Sequence, residues 1–107
     1  MIVSGGENIY STEVESALFA HPEIIDAAVI GVPNEKYGEV VKACIVKKEG
    51  SNLTEEDVIN FCKDRIASYK KPQSIDFIDE VPRNASGKVL KKVLRAPYWK
   101  DQDRQVS

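Results

Sequence analysis

Two apolar stretches joined by a short polar link limit the fold more than any other feature of the chain. Ile24-Ile25-Asp26-Ala27-Ala28-Val29-Ile30-Gly31-Val32 is apolar almost throughout and reads as a central strand. Val40-Val41-Lys42-Ala43-Cys44-Ile45-Val46 reads as a second strand. Pro33-Asn34-Glu35-Lys36-Tyr37-Gly38 between them is rich in turn formers and too short for a crossover helix. The pair is therefore expected as an antiparallel hairpin. With 107 residues the chain forms one domain with a modest core.

Helices flank this hairpin. Thr12 and Glu15 have the spacing of a capping box, with Val14, Ala17 and Leu18 on the inner face. His21-Pro22 closes that helix, and His21 reads as its C-terminal capping residue. Thr54-Glu55-Glu56-Asp57 caps a second helix whose Val58, Ile59, Cys62 and Ile66 form a core stripe. That helix fades at Tyr69-Lys70-Lys71-Pro72, and Ser74 to Ile78 reads as a third strand. Val89, Leu90, Val93 and Leu94 repeat at helical spacing near the end. Met1-Ile2-Val3 is extended and apolar, and no clear periodicity runs past Pro97, although Trp99 is expected to pack back onto the domain. The expected order is β-loop-α-β-β-α-β-loop-α. This predicts an α+β fold, a two-layer sandwich in which helices cover a small mixed sheet of about three strands.

Composition excludes several function classes. Hydrophobic residues make up 42% and charged residues 30%, so a packed core is expected rather than a disordered chain. A net charge of -2 gives no global attraction to nucleic acid or to an anionic membrane, so any anion site must be local. No apolar run reaches the length of a membrane span. Cys44 and Cys62 show no metal spacing and read as small buried hydrophobes, which suits a reducing cytoplasm, with a disulfide between them as the alternative. No metal site is expected.

The chemistry-bearing stretch is Pro82-Arg83-Asn84-Ala85-Ser86-Gly87-Lys88. Lys88 stands before the apolar stripe on what reads as a flexible Ser-Gly hinge, with Arg83 and Asn84 as further donors. A compact ammonium on such a loop suits a carboxylate or phosphate. A solvated basic surface would have the same composition. A Walker A loop is ruled out, because Pro82 holds the first glycine position and Val89 follows the lysine. At the other end, Gly5 and Gly6 permit positive φ and close approach of a ligand to backbone, as would a simple tight turn.

Four ordered segments together carry a resemblance. Ser4-Gly5-Gly6-Glu7-Asn8-Ile9-Tyr10, followed by Glu13-Val14-Glu15, resembles the glycine-rich loop and helix that open the C-terminal domain of AMP-forming acid–CoA ligases. Gly31 to Glu39 and Tyr69-Lys70-Lys71-Pro72 are similar to segments of that family in the same order. Pro82 to Lys88 resembles the family's catalytic-lysine signature. The likeness runs nearly to Arg95. It implies that residues 1–96 form the mobile lid domain, that residues 97–107 are a tail, and that a large N-terminal domain and its hinge lie outside this chain.

The resemblance implies a two-step enzyme of acyl-CoA synthetase type, with ATP, Mg2+ and CoA as substrates of the complete protein and none bound by this chain alone. A carboxylic acid and ATP give an acyl-adenylate and pyrophosphate, and the CoA thiol then displaces AMP. Lys88 is implied as the lysine that contacts the acid carboxylate and the ribose-phosphate oxygens. Arg83, Asn84, Ser86 and Gly87 are implied as its loop support. Gly5, Gly6 and Glu7 match the loop that lines the pantetheine tunnel, and Tyr37, Tyr69 and Lys71 match contacts to CoA. Ser11 departs from the proline usual in the family, and Gln73 stands where a second basic residue is expected. The partners implied are the large N-terminal domain, a carboxylic acid, ATP and CoA, with no nucleic acid and no membrane segment. Carrier-protein loading, a luciferase-like oxygenation and a stand-alone anion-binding module are the other readings. The tail faintly resembles the ends of some fatty-acyl ligases.

Overall fold

The structure, a computed structural model, describes residues 1–106, with side chains described through residue 100. Its strands are β1 (Ile2–Ser4), β2 (Glu7–Ile9), β3 (Ile24–Asn34), β4 (Gly38–Lys47) and β5 (Ser74–Phe77), and its helices are α1 (Ser11–Phe19), α2 (Glu55–Lys63) and α3 (Lys91–Val106). A single 3-10 turn, Ser68–Lys70, precedes β5.

The hairpin forms as the sequence predicts, with β3 antiparallel to β4 from Ile24↔Lys47 to Asn34↔Gly38. Its bend is tightened by Asn34, whose Oδ1 accepts from the backbone N–H of Lys36 and of Tyr37 at 3.0 and 2.9 Å, the self-capping that makes Asn a turn residue. The fold is α+β, as expected, but the sheet has five strands rather than about three. The glycine pair accounts for much of the difference. Gly5 and Gly6 both adopt positive φ (58° and 86°), so Ile2–Ser4 folds back on Glu7–Ile9 as a small second hairpin.

β4, not β3, is the central strand. It pairs antiparallel with β3, antiparallel with β1 at Ser4↔Gly38, and parallel with β5 from Lys42↔Ser74 to Ile45↔Phe77. β3 lies at the edge of the sheet, which is why it tolerates Pro33 inside the strand. Its unbroken apolar run has another cause: both of its faces are covered. Ala27 and Val29 join Val41, Ala43 and Ile45 in the larger core with Val14 and Leu18 of α1 and Val58 and Cys62 of α2. Ile30 and Val32 point the other way and pack with Val40, Cys44, Leu94 and Tyr98. Helices thus cover both faces of the sheet, so the two-layer expectation is corrected to a sheet between α1 and α2 on one side and α3 on the other. Strands covered on both sides read as continuous hydrophobic runs.

The helix ends divide into one expectation met and two corrected. Thr54 and Asp57 make a reciprocal capping box at the start of α2, as the sequence suggests. Thr12 and Glu15 do not. The N-cap of α1 is Tyr10, without a side-chain cap bond, and Glu15 instead reaches across to accept from the backbone N–H of Val29 at 2.8 Å. His21 lies beyond the C-cap Ala20. Its Nδ1 accepts from the N–H of Glu23, and its ring packs edge-on against Phe61 with centroids 4.7 Å apart.

The third helix starts later and continues further than its apolar stripe suggests. Val89 pairs with Arg83 in an isolated bridge, so the helix begins only at Lys91 and then runs through Pro97. Tyr98 and Trp99 dock it. Tyr98 hydrogen-bonds Asp76, which also receives the buried Lys42 ammonium at 3.0 Å, and Trp99 donates from Nε1 to the Gly31 carbonyl at 2.8 Å. Trp99 therefore packs back onto the domain as expected. Burial alone would raise the Asp76 carboxyl, but the hydrogen bonds from Tyr98 and Lys42 and the Lys42 charge outweigh it and hold the group below its usual range. The same bond to Asp76, with burial, pushes the Tyr98 hydroxyl up to about 12. Cys44 and Cys62 are both free and buried, and burial pushes their thiols up to about 11, which makes them inert core residues.

Candidate functional site

The stretch around Lys88 folds into a tight loop rather than a flexible hinge. Asn84 is its centre. The Asn84 Oδ1 accepts from the Ser86 N–H at 3.0 Å, the Ser86 hydroxyl at 2.8 Å and the Lys88 N–H at 3.0 Å. The Asn84 backbone N–H donates to the Lys88 carbonyl, and Gly87 N–H donates to the Asn84 carbonyl. Gly87 sits at φ 87°, in the left-handed region that favours glycine. The four residues that the resemblance names as loop support thus converge, with the Asn84 Oδ1 as the loop's common acceptor.

Arg83 is also committed inside the protein. Its NH2 group donates to both carboxylate oxygens of Asp26 at 2.9 Å, and its NH1 group donates to the Gly87 carbonyl at 3.0 Å. On the far side of the loop, Lys91 donates to Ser11 Oγ at 2.8 Å and pairs with Glu15 at 3.0 Å. Lys88 differs from both. It is exposed, and among the described residues no hydrogen bond or ion pair holds its ammonium. Thr12, Glu15 and Phe19 share one face of α1 and, with Ala27, Arg83, Lys88, Val89 and Lys91, line an open cleft of about 580 Å³. One free cation on a backbone-fixed loop can meet an anion entering this cleft.

A second cleft, of about 500 Å³, shares no lining residue with the first. Ser4, Gly5, Glu7, Tyr37, Ser68, Tyr69, Lys71 and Gln73 line it. Of the residues the sequence grouped here, Gly5, Glu7, Tyr37, Tyr69 and Lys71 come together, while Gly6 belongs to the same turn but does not line the cleft. The β1–β2 turn is tied to the hairpin bend by the Gly5 N–H, which donates to the Tyr37 carbonyl at 2.9 Å. A Cβ on Gly5 would lie 3.0 Å from Tyr37 Cδ1, so this glycine is needed for contact as well as for its φ. Tyr37 and Tyr69 are half exposed, at 43% and 47%, and each ring carries a lysine ammonium over it, Lys36 at 5.2 Å and Lys70 at 5.6 Å from the centroid. The 3-10 turn that carries Tyr69 is anchored by Lys70, whose ammonium bonds both Glu13 oxygens at 2.8 and 3.0 Å. The Lys71 ammonium makes only long contacts, 3.3 and 3.5 Å, to Ser68.

Sequence reasoning missed Asp26, Glu15 and Lys91 as parts of the first cleft's framework. Asp26 carried a usable signal, since it is the one charge inside the apolar run from Ile24 to Val32. Among the described residues no group of three or more His, Cys, Asp or Glu is placed to hold a metal ion, and no helix is long and apolar enough to cross a membrane.

Comparison with known proteins gives the chain a family. The AMP-binding enzyme C-terminal domain family matches residues 13–88. A 3-[(3aS,4S,7aS)-7a-methyl-1,5-dioxo-octahydro-1H-inden-4-yl]propanoyl:CoA ligase of Rhodococcus jostii is 53% identical over 95 residues, covering 89% of this chain and 18% of that protein. A 2-succinylbenzoate–CoA ligase of Bacillus mycoides is 44% identical over 95 residues, covering 89% of this chain and 19% of that protein. The crystal structure of ATP-bound MatB from Rhodopseudomonas palustris superposes with a TM-score of 0.86 at 40% identity, over 90% of this chain and 19% of MatB. The chain therefore spans about a fifth of the length of these relatives. With the matched segment running from the first turn of α1 to Lys88 itself, the chain belongs to the AMP-binding enzyme C-terminal domain family.

Proposed function

We propose that this chain is the mobile C-terminal domain of an ATP-dependent, AMP-forming acid–CoA ligase. In the first half-reaction a carboxylate oxygen of the acid attacks the α-phosphorus of ATP, giving acyl-adenylate and pyrophosphate. In the second, the CoA thiol attacks the acyl carbon, loses its proton, and expels AMP. The observation that carries this reading is the exposed ammonium of Lys88, without a protein partner among the described residues, on a loop whose backbone is held by Asn84 Oδ1 and by Arg83.

Between an incoming carboxylate and a phosphate, two anions must approach, and a fixed cation offsets the charge that builds as they do. A loop held by its own backbone bonds loses little further freedom when the ammonium meets these oxygens. Lys88 then acts in adenylation, while the cleft of Gly5, Glu7, Tyr37, Tyr69 and Lys71 serves thioester formation. There the glycine turn leaves room for a thin pantetheine arm, and the tyrosine faces and Lys71 suit an adenine and a phosphate. Two clefts without a common residue fit a domain that presents a different face in each step.

Mg2+ would enter with ATP, held by its phosphate oxygens. The relatives carry names of quite different acids, which supports a reading in which acid choice lies outside this domain. A cytoplasmic setting, where both thiols stay reduced, belongs to the same reading.

The test is an assay of the complete protein, wild type against Lys88→Ala, following pyrophosphate release across a panel of acids with and without CoA. The expected loss in adenylation corresponds to about 2–4 kcal/mol of barrier, with thioester formation from preformed acyl-adenylate retained. Release that persists in the variant would make Lys88 a surface lysine. Adenylate formed without acyl-CoA would point to carrier-protein loading instead.

A further inference from the structure

Among the described residues, Asp26 is the only carboxylate that reaches the Lys88 loop from the sheet. It sits where the β3–β4 register shifts, between Ile24 and the paired segment that follows. One oxygen also accepts from the Ala27 N–H at 2.9 Å, which fixes the carboxylate before any partner arrives. Arg83 then bridges it to the Gly87 carbonyl, the peptide unit that leads into Lys88. The two N–H···O bonds from one guanidinium nitrogen to the carboxylate, plus the third bond to the loop, fix Arg83 in orientation as well as position. The chain of contacts is short: strand β3, Asp26, Arg83, Gly87, Lys88.

We infer that Asp26 is a positioning residue for Lys88, acting through Arg83, and that it serves one half-reaction only. The inference rests on the reading of Lys88 as the adenylation lysine. The Asn84 bonds shape the loop internally, but they do not attach it to the sheet. The attachment comes from the Asp26–Arg83 pair on one side and the Lys91–Glu15 pair on the other. Only the first of these touches the peptide preceding Lys88. The second cleft lies elsewhere and shares none of these groups. Removing the Asp26 charge should therefore misplace Lys88 and leave the CoA face unchanged.

The experiment uses the complete enzyme with Asp26→Asn, Asp26→Ala, Asp26→Glu, Lys88→Ala and the double variant Asp26→Ala/Lys88→Ala. Asp26→Asn keeps an acceptor for Ala27 and nearly the same volume, so it guards against a simple failure to fold. Both half-reactions are measured, with kcat and KM separated. The expected result is a fall in adenylation kcat of about tenfold for Asp26→Ala and a smaller fall for Asp26→Asn, since a misplacement of about 1 Å can cost up to a hundredfold. Thioester formation from preformed acyl-adenylate stays within twofold of wild type, and Asp26→Glu recovers part of the adenylation rate. In the Lys88→Ala background, Asp26→Ala causes no further loss, because residues acting as a unit are not additive. Equal falls in both half-reactions, or a further loss in the double variant, would overturn the inference while leaving the role of Lys88 intact. A Lys88→Ala enzyme that adenylates normally would overturn both.

Discussion

The Lys88 cleft and the Gly5–Tyr37–Tyr69 cleft solve opposite problems with the same small sheet. In the first, a flexible side chain is made useful by holding its backbone: Asn84, Gly87 and Arg83 all bond the loop, and one ammonium is left free. In the second, the backbone itself is the surface. Glycine at φ 58° brings the β1–β2 turn against the Tyr37 peptide, and half-exposed aromatic faces line the opening. The difference shows why one cleft is marked by charge and the other by the absence of a side chain. A point charge can be supplied late, at the end of a long side chain, whereas space for a thin ligand must be built into the main chain.

The comparison can be broken most broadly by removing support common to both clefts. Leu18 is fully buried among Ile2, Ile9, Val29 and Ile45, between the helix that walls the first cleft and the turn that forms the second. Leu18→Ala should cost about 2–5 kcal/mol of folding stability and lower both half-reactions together, as read by thermal unfolding and the paired assays. A loss confined to one half-reaction would show that the clefts are supported separately.

A sharper test separates them. Gly5→Ala places a Cβ 3.0 Å from Tyr37 and forces a side chain into the left-handed region. About 1–2 kcal/mol of stability should be lost, with thioester formation falling and adenylation from acid and ATP nearly unchanged. Unchanged thioester formation would remove the β1–β2 turn from the CoA path.

The smallest effect concerns α3, which starts three residues after Lys88 and docks through Tyr98. Tyr98→Phe should cost about 1 kcal/mol, the usual worth of one hydrogen bond. Its pH dependence has a defined sign. The Asp76 carboxyl is held below its unfolded value, so its contribution is present above that unfolded value and is lost as pH falls through the folded one. The Tyr98 hydroxyl is raised from 10.0 to about 12, so its contribution is present below 10.0 and is lost as pH rises through about 12. Unfolding followed against pH should show the wild type and Tyr98→Phe converging at both extremes. A constant gap across the range would mean that the lost hydroxyl acts through packing alone.

Two of the misreadings share one cause. Glu15 sits three residues after Thr12 and satisfies the capping-box spacing, yet it bonds Val29 and Lys91, which are distant in sequence. Arg83 looks like a ligand donor in a basic stretch, yet its guanidinium is committed to Asp26 and Gly87, while the Asn84 Oδ1 is committed as an acceptor within the loop. Val89 and Leu90 fit a helical stripe but lie in the loop's closing bridge and the turn after it. For Glu15 and Arg83 the residue types were informative and the deciding partner was not local, whereas Asn84 is held by its own loop. Thr54 and Asp57 form the contrasting case, because both halves of that cap lie within one turn.

The sequence by itself determined the hairpin, the capped α2 and the α+β class, since each depends on local periodicity or on a motif of contiguous residues. Tertiary structure alone decided that β4 rather than β3 is central, that helices cover both faces, and which of the cations Arg83, Lys88 and Lys91 is free. Those outcomes depend on pairings between residues tens of positions apart, Arg83 with Asp26 and Lys91 with Glu15. A long side chain near several carboxylates has no preference that its neighbours in sequence can reveal. Only the packed sheet brings one acceptor within reach and leaves the next cation without one.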